Sequence, residues 1–177
     1  MKKTNNKMKS TFLVSKIDNI NLKKYGLNLK NYKISVKKIL NILFLLNEIK
    51  TSRIFSRDIS KIRFDISFCS DTTIQRINKT YRNKDKATDV ITFSLFADDV
   101  NAIVCGKTAD LGQIIISCET LDKQKDENNT TFNEELITLT THGILHLFGF
   151  DHLEKKGYDF VVRIQNLVLK IFKEENE

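Results

Sequence analysis

The pattern of apolar and polar positions along the chain predicts several β-strands. Residues 62–68 alternate between apolar and polar side chains, which is typical of a strand with one buried face. Residues 111–119, "LGQIIISCE", are apolar almost throughout their centre, which indicates a strand buried on both faces. The β-branched and aromatic stretch 90–96 predicts a third strand, and residues 12–17 predict a first strand at the edge of the sheet.

Apolar residues that recur with the helical period predict long helices over residues 34–49, 134–148 and 153–173. Shorter helices are expected after Ser70 and over residues 119–125. The flanking residues are consistent with helix ends: Ser70 or Asp71 can cap one N-terminus, Thr131 or Asn133 can cap another, and Gly149 suits a C-terminus. The resulting order β-α-β-α-β-β-α-α-α, with about four strands, predicts a layered α/β (α+β) domain with helices at its C-terminal end.

The length and composition predict one domain. Residues 1–9 are polar and basic, so we expect a disordered tail there and a single domain over residues 10–177. The chain contains no apolar run of about 18 residues and no signal-peptide pattern, which favours a cytoplasmic protein. Its three cysteines, at positions 69, 105 and 118, are far apart, so we expect reduced and mostly buried thiols.

Charge is distributed unevenly along the chain. The formal net charge is +7, but residues 1–90 hold 21 Lys and Arg against 7 Asp and Glu, whereas residues 91–177 hold 8 against 15. A basic half indicates a polyanionic partner, most often a nucleic acid. The alternative is a solvated lysine-rich surface with no partner, and charge alone does not choose between the two.

All three histidines of the chain fall in "HGILHLFGFDH", residues 142–152. His142 and His146 are four residues apart on a predicted helix, so their side chains share one face. Gly149 permits a sharp turn, after which His152 can return as a third ligand. Three imidazoles favour one Zn²⁺ or a similar divalent ion per chain, held at the end of a C-terminal helix with a fourth position open for water.

This spacing is also that of the metzincin peptidases, H-E-x-x-H-x-x-G-x-x-H. Here Gly143 stands where the peptidases have the glutamate that acts as general base. The chain therefore has the predicted metal ligands without the peptidase base. A metallopeptidase remains an alternative, but the less favoured one.

Three blocks of the sequence resemble a known family, the bacterial YbeY endoribonucleases. The histidine block matches the family's H-G-x-L-H-L-x-G-[YF]-D-H throughout. Residues 78–93, "NKTYRNKDKATDVITF", are similar to LN-x-x-YR-x-KDKPTDVLSFP, and residues 111–117, "LGQIIIS", are similar to LGDIVI. The resemblance covers about residues 60–172.

The resemblance implies an α/β fold with a small mixed sheet and one zinc-like ion held by His142, His146 and His152. It also implies a metal-dependent, single-strand-specific endoribonuclease that acts in 16S rRNA 3′-end maturation and ribosome quality control. The expected partners are 16S rRNA and the small ribosomal subunit. The family's functional arginine corresponds to Arg82, whose guanidinium can hold a phosphate through two hydrogen bonds. Lys84 and Lys86 lie nearby in sequence and are candidates to bind the RNA backbone.

The chain departs from the family pattern at a few positions. Gln113, Ala87, Thr92 and Ser94 replace the usual aspartate, proline, serine and proline, and Gln113 would matter if that aspartate orients a ligand or a loop. Asp151 is a candidate to orient a ligand or only to cap a turn. Sequence does not choose between activated water and the RNA 2′-OH as nucleophile. The main alternative function is a non-catalytic, metal-stabilised ribosome-assembly factor.

Overall fold

The computed structural model describes residues 8–56, 58–95, 104–150 and 154–174. The strands are β1 (Lys9–Lys16), β2 (Lys61–Cys69), β3 (Val90–Ser94), β4 (Val104–Cys105) and β5 (Thr108–Ser117). The α-helices are α1 (Leu29–Leu45), α2 (Asp71–Arg82), α3 (Cys118–Glu127), α4 (Phe132–Leu147) and α5 (Lys155–Glu174), and short 3-10 helices occupy Leu22–Tyr25, Ile49–Thr51 and Arg53–Ser56. The predicted α/β fold with a mixed sheet is confirmed. Residues 1–7 of the predicted tail lie outside the described residues, and β1 begins at Lys9.

The sheet is mixed and has the strand order β1-β2-β5-β3, with β4 paired to β5 outside this path. Strands β1, β2 and β5 are parallel, whereas β3 and β4 run antiparallel to β5. The edge position predicted for the first strand is confirmed. Strand β4 was not predicted, because it is only two residues long and its pairing with β5 leaves no periodic signal in the sequence.

Helix α1 begins five residues before the predicted start at residue 34 and ends four residues before the predicted end at residue 49. Its N-terminus is fixed by Asn28, whose side chain accepts hydrogen bonds from the backbone N–H groups of Lys30 and Asn31. The first turn is mostly polar, so the apolar pattern alone places the start too late. At the other end, the chain leaves the helix after Leu45 and enters the 3-10 segments.

Most of the core lies on one face of the sheet, where α1 and α4 pack over the strands and α5 packs against α4. Alternate side chains of β2, such as Ile62, Phe64 and Ile66, point into this core and are fully or almost fully buried. Helix α2 covers part of the opposite face and forms a smaller apolar cluster of Cys69, Ile74, Ile91 and Ile115. The sheet therefore has a helix layer on each face, but the layer that contains α2 is incomplete.

The glycine of the "LGQIII" block has a structural role. Arg63 pairs with Asp110 and Phe64 with Gly112, so Leu111 is an extra residue that forms a bulge in β5. Gly112 has a φ of 116°, and a Cβ atom there would lie 1.9 Å from the carbonyl oxygen of Phe93. Only glycine fits this close approach of β3 and β5.

The three cysteines are free thiols. Cys69 and Cys118 are buried, while Cys105 is exposed. Burial raises the pKa of both buried thiols to about 12, so neither ionises at neutral pH.

Across the described ranges, no helix is long and apolar enough to cross a membrane.

Candidate functional site

Helix α4 carries His142 and His146, and its N-terminus is firmly anchored. The Thr131 hydroxyl accepts a hydrogen bond from the N–H of Glu134, while the Glu134 carboxylate accepts one from the N–H of Thr131. This capping box satisfies two donors at the helix start. In the middle of the helix, the hydroxyls of Tyr32 and Thr140 are joined by a buried hydrogen bond of 2.6 Å, which ties α4 to α1.

The C-terminus of α4 turns sharply just after His146. Gly149 has a φ of 81°, and its N–H donates to the carbonyl of His146 while the N–H of Phe150 donates to that of Leu145. These two bonds form a Schellman motif, in which a left-handed glycine reverses the chain. The Ser52 hydroxyl donates to the carbonyl of Phe148, another carbonyl of this helix end. The helix end predicted at Gly149 is confirmed.

The two histidines on α4 converge. Their Nε2 atoms are 2.9 Å apart, their ring centroids are 4.5 Å apart, and both side chains are half-buried. Zinc binds imidazole nitrogens at about 2.0–2.1 Å, so two nitrogens at this separation can contact the same ion. The donor set therefore fits a borderline divalent cation.

The third predicted ligand, His152, and the neighbouring Asp151 lie outside the described residues. Within the parts of the chain that the structure describes, no three His, Cys, Asp or Glu side chains are grouped so as to hold a metal ion. The structure thus presents two of the three predicted ligands and the turn that follows them. The complete three-histidine site stays a prediction.

Gly143 lies between the two histidines in sequence and faces the sheet. A Cβ atom at this position would lie 2.8 Å from Cδ1 and 2.9 Å from Cγ2 of Ile114, a fully buried residue of β5. Helix α4 therefore packs directly on β5 at the position where the peptidases carry their glutamate. A longer side chain would push the helix away from the sheet, so this packing disfavours the peptidase arrangement.

Arg82 is the last residue of α2 and is exposed. Its guanidinium Nη2 donates a long hydrogen bond of 3.4 Å to the carbonyl oxygen of Thr92 in β3. Thr92 is paired with Ile114, the residue that contacts Gly143, and α4 also contacts β3. Strand β3, at the edge of the sheet, is therefore the element that both the Arg82 side chain and the histidine helix contact.

The loop after Arg82 is held in a defined shape. Asn83 adopts a left-handed conformation, and the side-chain amide of Asn78 donates to the backbone carbonyl of Lys86 at 2.8 Å. Lys79 forms an ion pair of 2.6 Å with Asp85. Hydrogen bonds from Lys79 and Gln75 lower the pKa of Asp85, so its carboxylate is charged at neutral pH.

The predicted RNA-contacting lysines of this loop, Lys84 and Lys86, are both exposed. Neither forms a salt bridge to any residue that the structure describes. Lys79 differs from them, because its ammonium group is neutralised by Asp85. Lys84 and Lys86 therefore present positive charge that no described acidic residue pairs with, on the loop that begins at Arg82.

Gln113 lies on the face of the sheet opposite the histidine helix. Ile114 points towards α4, and adjacent strand residues point to opposite faces. The Gln113 side chain accordingly donates to the Ser67 hydroxyl at 2.9 Å, and Ser67 is in turn bonded to Ser15. Residue 113 therefore does not orient His142 or His146, the two described histidines.

Sequence reasoning gave Asp89 no role, although it lies inside the "TDV" block. Its carboxylate accepts hydrogen bonds from the N–H of Val90 and from the side-chain amide of Gln124, and its carbonyl accepts one from the N–H of Ser117. Asp89 thus connects the start of β3 to β5 and α3. The signal in the sequence is an aspartate immediately before a strand. Aspartates are also common in ordinary turns, so this signal does not single out Asp89.

These features define an α/β protein with a mixed sheet, a convergent histidine pair on a buried helix, and an exposed arginine at the sheet edge. Residues 17–173 match the model of the family described as "Endoribonuclease YbeY", and the chain belongs to this family. The resemblance inferred from the three sequence blocks is confirmed.

Relatives named "Endoribonuclease YbeY" are similar over much of the chain. The protein of Malacoplasma penetrans is 36% identical over 77% of this chain and 81% of its own, and that of Fusobacterium nucleatum is 34% identical over 82% and 80%. The protein of Prochlorococcus marinus is 36% identical over 65% of this chain, and the match spans 61% of that relative's length. The solution structure of TM1509 from Thermotoga maritima shares the fold, with a TM-score of 0.53 at 23% identity and 93% coverage of both chains.

Proposed function

We propose that this protein is a metal-dependent endoribonuclease that cleaves single-stranded RNA in 16S rRNA 3′-end maturation and ribosome quality control. Family membership and the name that the relatives share support the endoribonuclease activity. The observation that carries the metal dependence is the 2.9 Å separation of the Nε2 atoms of His142 and His146. The proposed setting is the cytoplasm, with 16S rRNA and the small ribosomal subunit as partners.

One Zn²⁺ or similar divalent ion per chain is the proposed cofactor, with His142, His146 and His152 as its ligands. Such an ion supplies Lewis acidity and lowers the pKa of water, which suits attack on a phosphodiester at neutral pH. The half-buried position of His142 and His146 on α4 restricts their motion and so orients their nitrogen atoms. The Schellman turn at Gly149 reverses the chain at the end of α4, a few residues before the proposed third ligand in sequence.

Arg82 is the proposed catalytic residue. A guanidinium donates parallel hydrogen bonds to two phosphate oxygens, and it stabilises the extra negative charge that forms as the phosphorus gains a fifth ligand. The long bond from Nη2 to the Thr92 carbonyl leaves the other guanidinium donors available to substrate. Lys84 and Lys86 would hold neighbouring phosphates through their positive charges.

Hydrolysis requires an oxygen nucleophile, and two routes differ in which oxygen attacks. In one, water attacks the phosphorus, the bond to the leaving ribose oxygen breaks, and that oxygen takes a proton. In the other, the adjacent RNA 2′-OH loses its proton and attacks the phosphorus, the bond to the 5′ oxygen of the next nucleotide breaks, that oxygen takes a proton, and a 2′,3′-cyclic phosphate remains. A substrate with a single 2′-deoxy nucleotide at the cleaved position separates them, because it blocks only the second route.

The test of the proposed function is cleavage of single-stranded and duplex RNA of the same sequence by the purified protein. We expect cleavage of the single strand, loss of cleavage with a chelator, and recovery when Zn²⁺ is added back. RNA binding without any metal-dependent cleavage would refute the enzyme and favour the assembly-factor alternative. Peptide hydrolysis abolished by chelator would favour a metallopeptidase, which the packing of Gly143 on Ile114 argues against.

A further inference from the structure

The segment between Asp18 and Glu48 contains no acidic residue but six lysines. These are Lys23, Lys24, Lys30, Lys33, Lys37 and Lys38. Four of them belong to α1, which therefore carries a net charge of +4 along its length. Lys30, Lys33 and Lys37 are exposed and follow one another at the i,i+3 and i,i+4 spacing that places side chains on one side of a helix. We call these three residues the α1 lysine face.

The α1 lysine face differs in charge balance from the lysines of this protein that form ion pairs. Lys79, Lys123 and Lys173 each lie within 3 Å of an aspartate or glutamate oxygen. By contrast, no lysine of the α1 lysine face forms an ion pair with a described residue. No acidic side chain in the described parts of the chain neutralises this positive charge through an ion pair, and a surface of this kind attracts a polyanion.

The position of α1 connects this face to the candidate site. Tyr32, near the start of α1, bonds to Thr140 of α4, and Phe44, near its end, stacks on Phe148 with ring centroids 6.1 Å apart. The two helices therefore run in the same direction, and the C-terminal end of α1 lies beside the end of α4 that carries His146. A helix rises about 1.5 Å per residue, so the lysines lie roughly 10–20 Å along α1 from that end.

We infer that the α1 lysine face binds backbone phosphates of an RNA segment that lies beyond the cleaved bond. This inference rests on the proposed function and adds a second contact region to it. Successive lysines on one helical face can each neutralise a phosphate and release counterions, which strengthens binding without reading the sequence. Long RNA would therefore bind more tightly than a fragment that occupies only the histidine end.

An anionic membrane is a poorer fit to the same surface. A helix that binds a membrane inserts an apolar face below its basic residues. The apolar face of α1, which includes Val36, Ile39 and Leu43, is fully buried in the protein core. The exposed apolar residues on this helix, Ile34 and Leu45, lie about three turns apart and form no continuous stripe.

The test replaces the three lysines together in the full chain, as Lys30→Gln, Lys33→Gln and Lys37→Gln. We expect affinity for a long single-stranded RNA to fall on the order of tenfold at near-physiological salt, because about three phosphate contacts are lost. The slope of log affinity against log salt should decrease by about 2, since each contact on single strands contributes about 0.7. Binding and cleavage of a pentanucleotide should change little.

The matched control carries Lys123→Gln, Lys125→Gln and Lys170→Gln, which remove the same charge from lysines that form ion pairs. Circular dichroism and thermal unfolding of both triple variants verify that they fold. We expect the control to keep the salt slope of the unchanged protein. An equal loss in both variants would mean that only net charge matters and would overturn the inference.

Two other results would also overturn it. Unchanged RNA affinity and salt slope in the α1 variant would show that these lysines do not contact RNA. Loss of binding to phosphatidylserine vesicles without loss of RNA binding would assign the surface to a membrane. The binding measurements do not need cleavage, so a protein that binds long RNA through α1 but cleaves none would refute the proposed function and retain this inference.

Discussion

At the scale of single residues, Arg82 shows how a side chain can be exposed and still be positioned. Its backbone ends α2, and its guanidinium reaches the Thr92 carbonyl of the edge strand. This single long bond orients the side chain. It engages Nη2 only, so it does not occupy all of the guanidinium donors. In the proposed function, a substrate phosphate would bind the guanidinium with little rearrangement of the protein.

The first prediction concerns Arg82→Lys, which retains the positive charge but loses the planar pair of donors. We expect RNA cleavage to slow by about 10²- to 10³-fold, because a donor aimed at the transition state contributes that much. RNA affinity should change only a few-fold, and metal content should not change. Arg76→Lys, at an exposed position on the same helix, is the control. Cleavage equal to that of the control would remove Arg82 from the catalytic role.

At the scale of elements, the approach of α4 to β5 depends on Gly143. Ile114 occupies the space in which any larger side chain at position 143 would have to fit. The same contact places the backbone of α4 close to the sheet. It therefore fixes how far His142 and His146, which flank Gly143 in sequence, lie from the sheet. Glycine lowers helix propensity, and the close packing compensates for that cost.

We expect Gly143→Ala to lower the free energy of unfolding by about 1–3 kcal/mol, because the added methyl group overpacks against Ile114. Ile114→Val in the same chain removes Cδ1 and should restore part of the loss. Urea denaturation of the two single variants and the double variant measures the coupling. Additive effects of the two substitutions would contradict direct contact between the positions. Leu45→Ala, at an exposed helical position, serves as the comparison for a neutral change.

Asp18 joins the end of β1 to the start of α2. Partial burial by itself would raise the pKa of this carboxyl group, but hydrogen bonds from Thr73, from the N–H and hydroxyl of Ser70 and from the N–H of Ile20 lower it to about 2. The folded pKa lies below the unfolded value of about 3.9. The charged carboxylate therefore stabilises the fold above about pH 4, and this contribution is lost as pH falls towards 2.

We expect Asp18→Asn to reduce the free energy of unfolding at neutral pH by no more than about 1 kcal/mol, because the group is partly exposed to solvent. The variant should also lose part of the decrease in stability that the unchanged protein shows between about pH 4 and pH 2. Thermal unfolding followed across this pH range measures both effects. Parallel pH profiles for the two proteins would show that Asp18 does not stabilise the fold through its charge.

At the scale of the whole molecule, the histidine site joins elements that are distant in sequence. The end of α4 is held by Ser52 from the segment after α1, and Phe148 packs against Phe44 and Phe55. A metal ion bound only by the folded protein stabilises it by mass action. Metal binding and global stability should therefore be linked.

We expect a chelator to lower the melting temperature of the purified protein, and Zn²⁺ to restore it. Ion in about 100-fold excess over its dissociation constant contributes about 2.7 kcal/mol. His142→Ala and His146→Ala should contain little metal by elemental analysis, and chelator should not shift their melting temperatures. Asn133→Ala, an exposed position on the same helix, should respond as the unchanged protein does. Full metal content in both histidine variants would refute the site.

Much of the fold could be predicted because the apolar periodicity of β2, β5, α4 and α5 reflects burial directly. Errors occurred where other forces decide the structure. Asn28 starts α1 ahead of its apolar pattern, and β4 exists only because the chain folds back on β5. Periodicity records which side chains are buried, but it does not record hydrogen bonds made by caps or short hairpins.

By itself, the sequence determined the family, the α/β class and the i,i+4 placement of His142 and His146, because motif spacing and helix period are local properties. Tertiary structure alone decided that Gly143 packs on Ile114, that Gln113 lies on the sheet face away from the histidines, and that Arg82 reaches β3. These relations join residues from different elements. They depend on strand order, on register and on which face of the sheet each helix covers, and no local pattern encodes them.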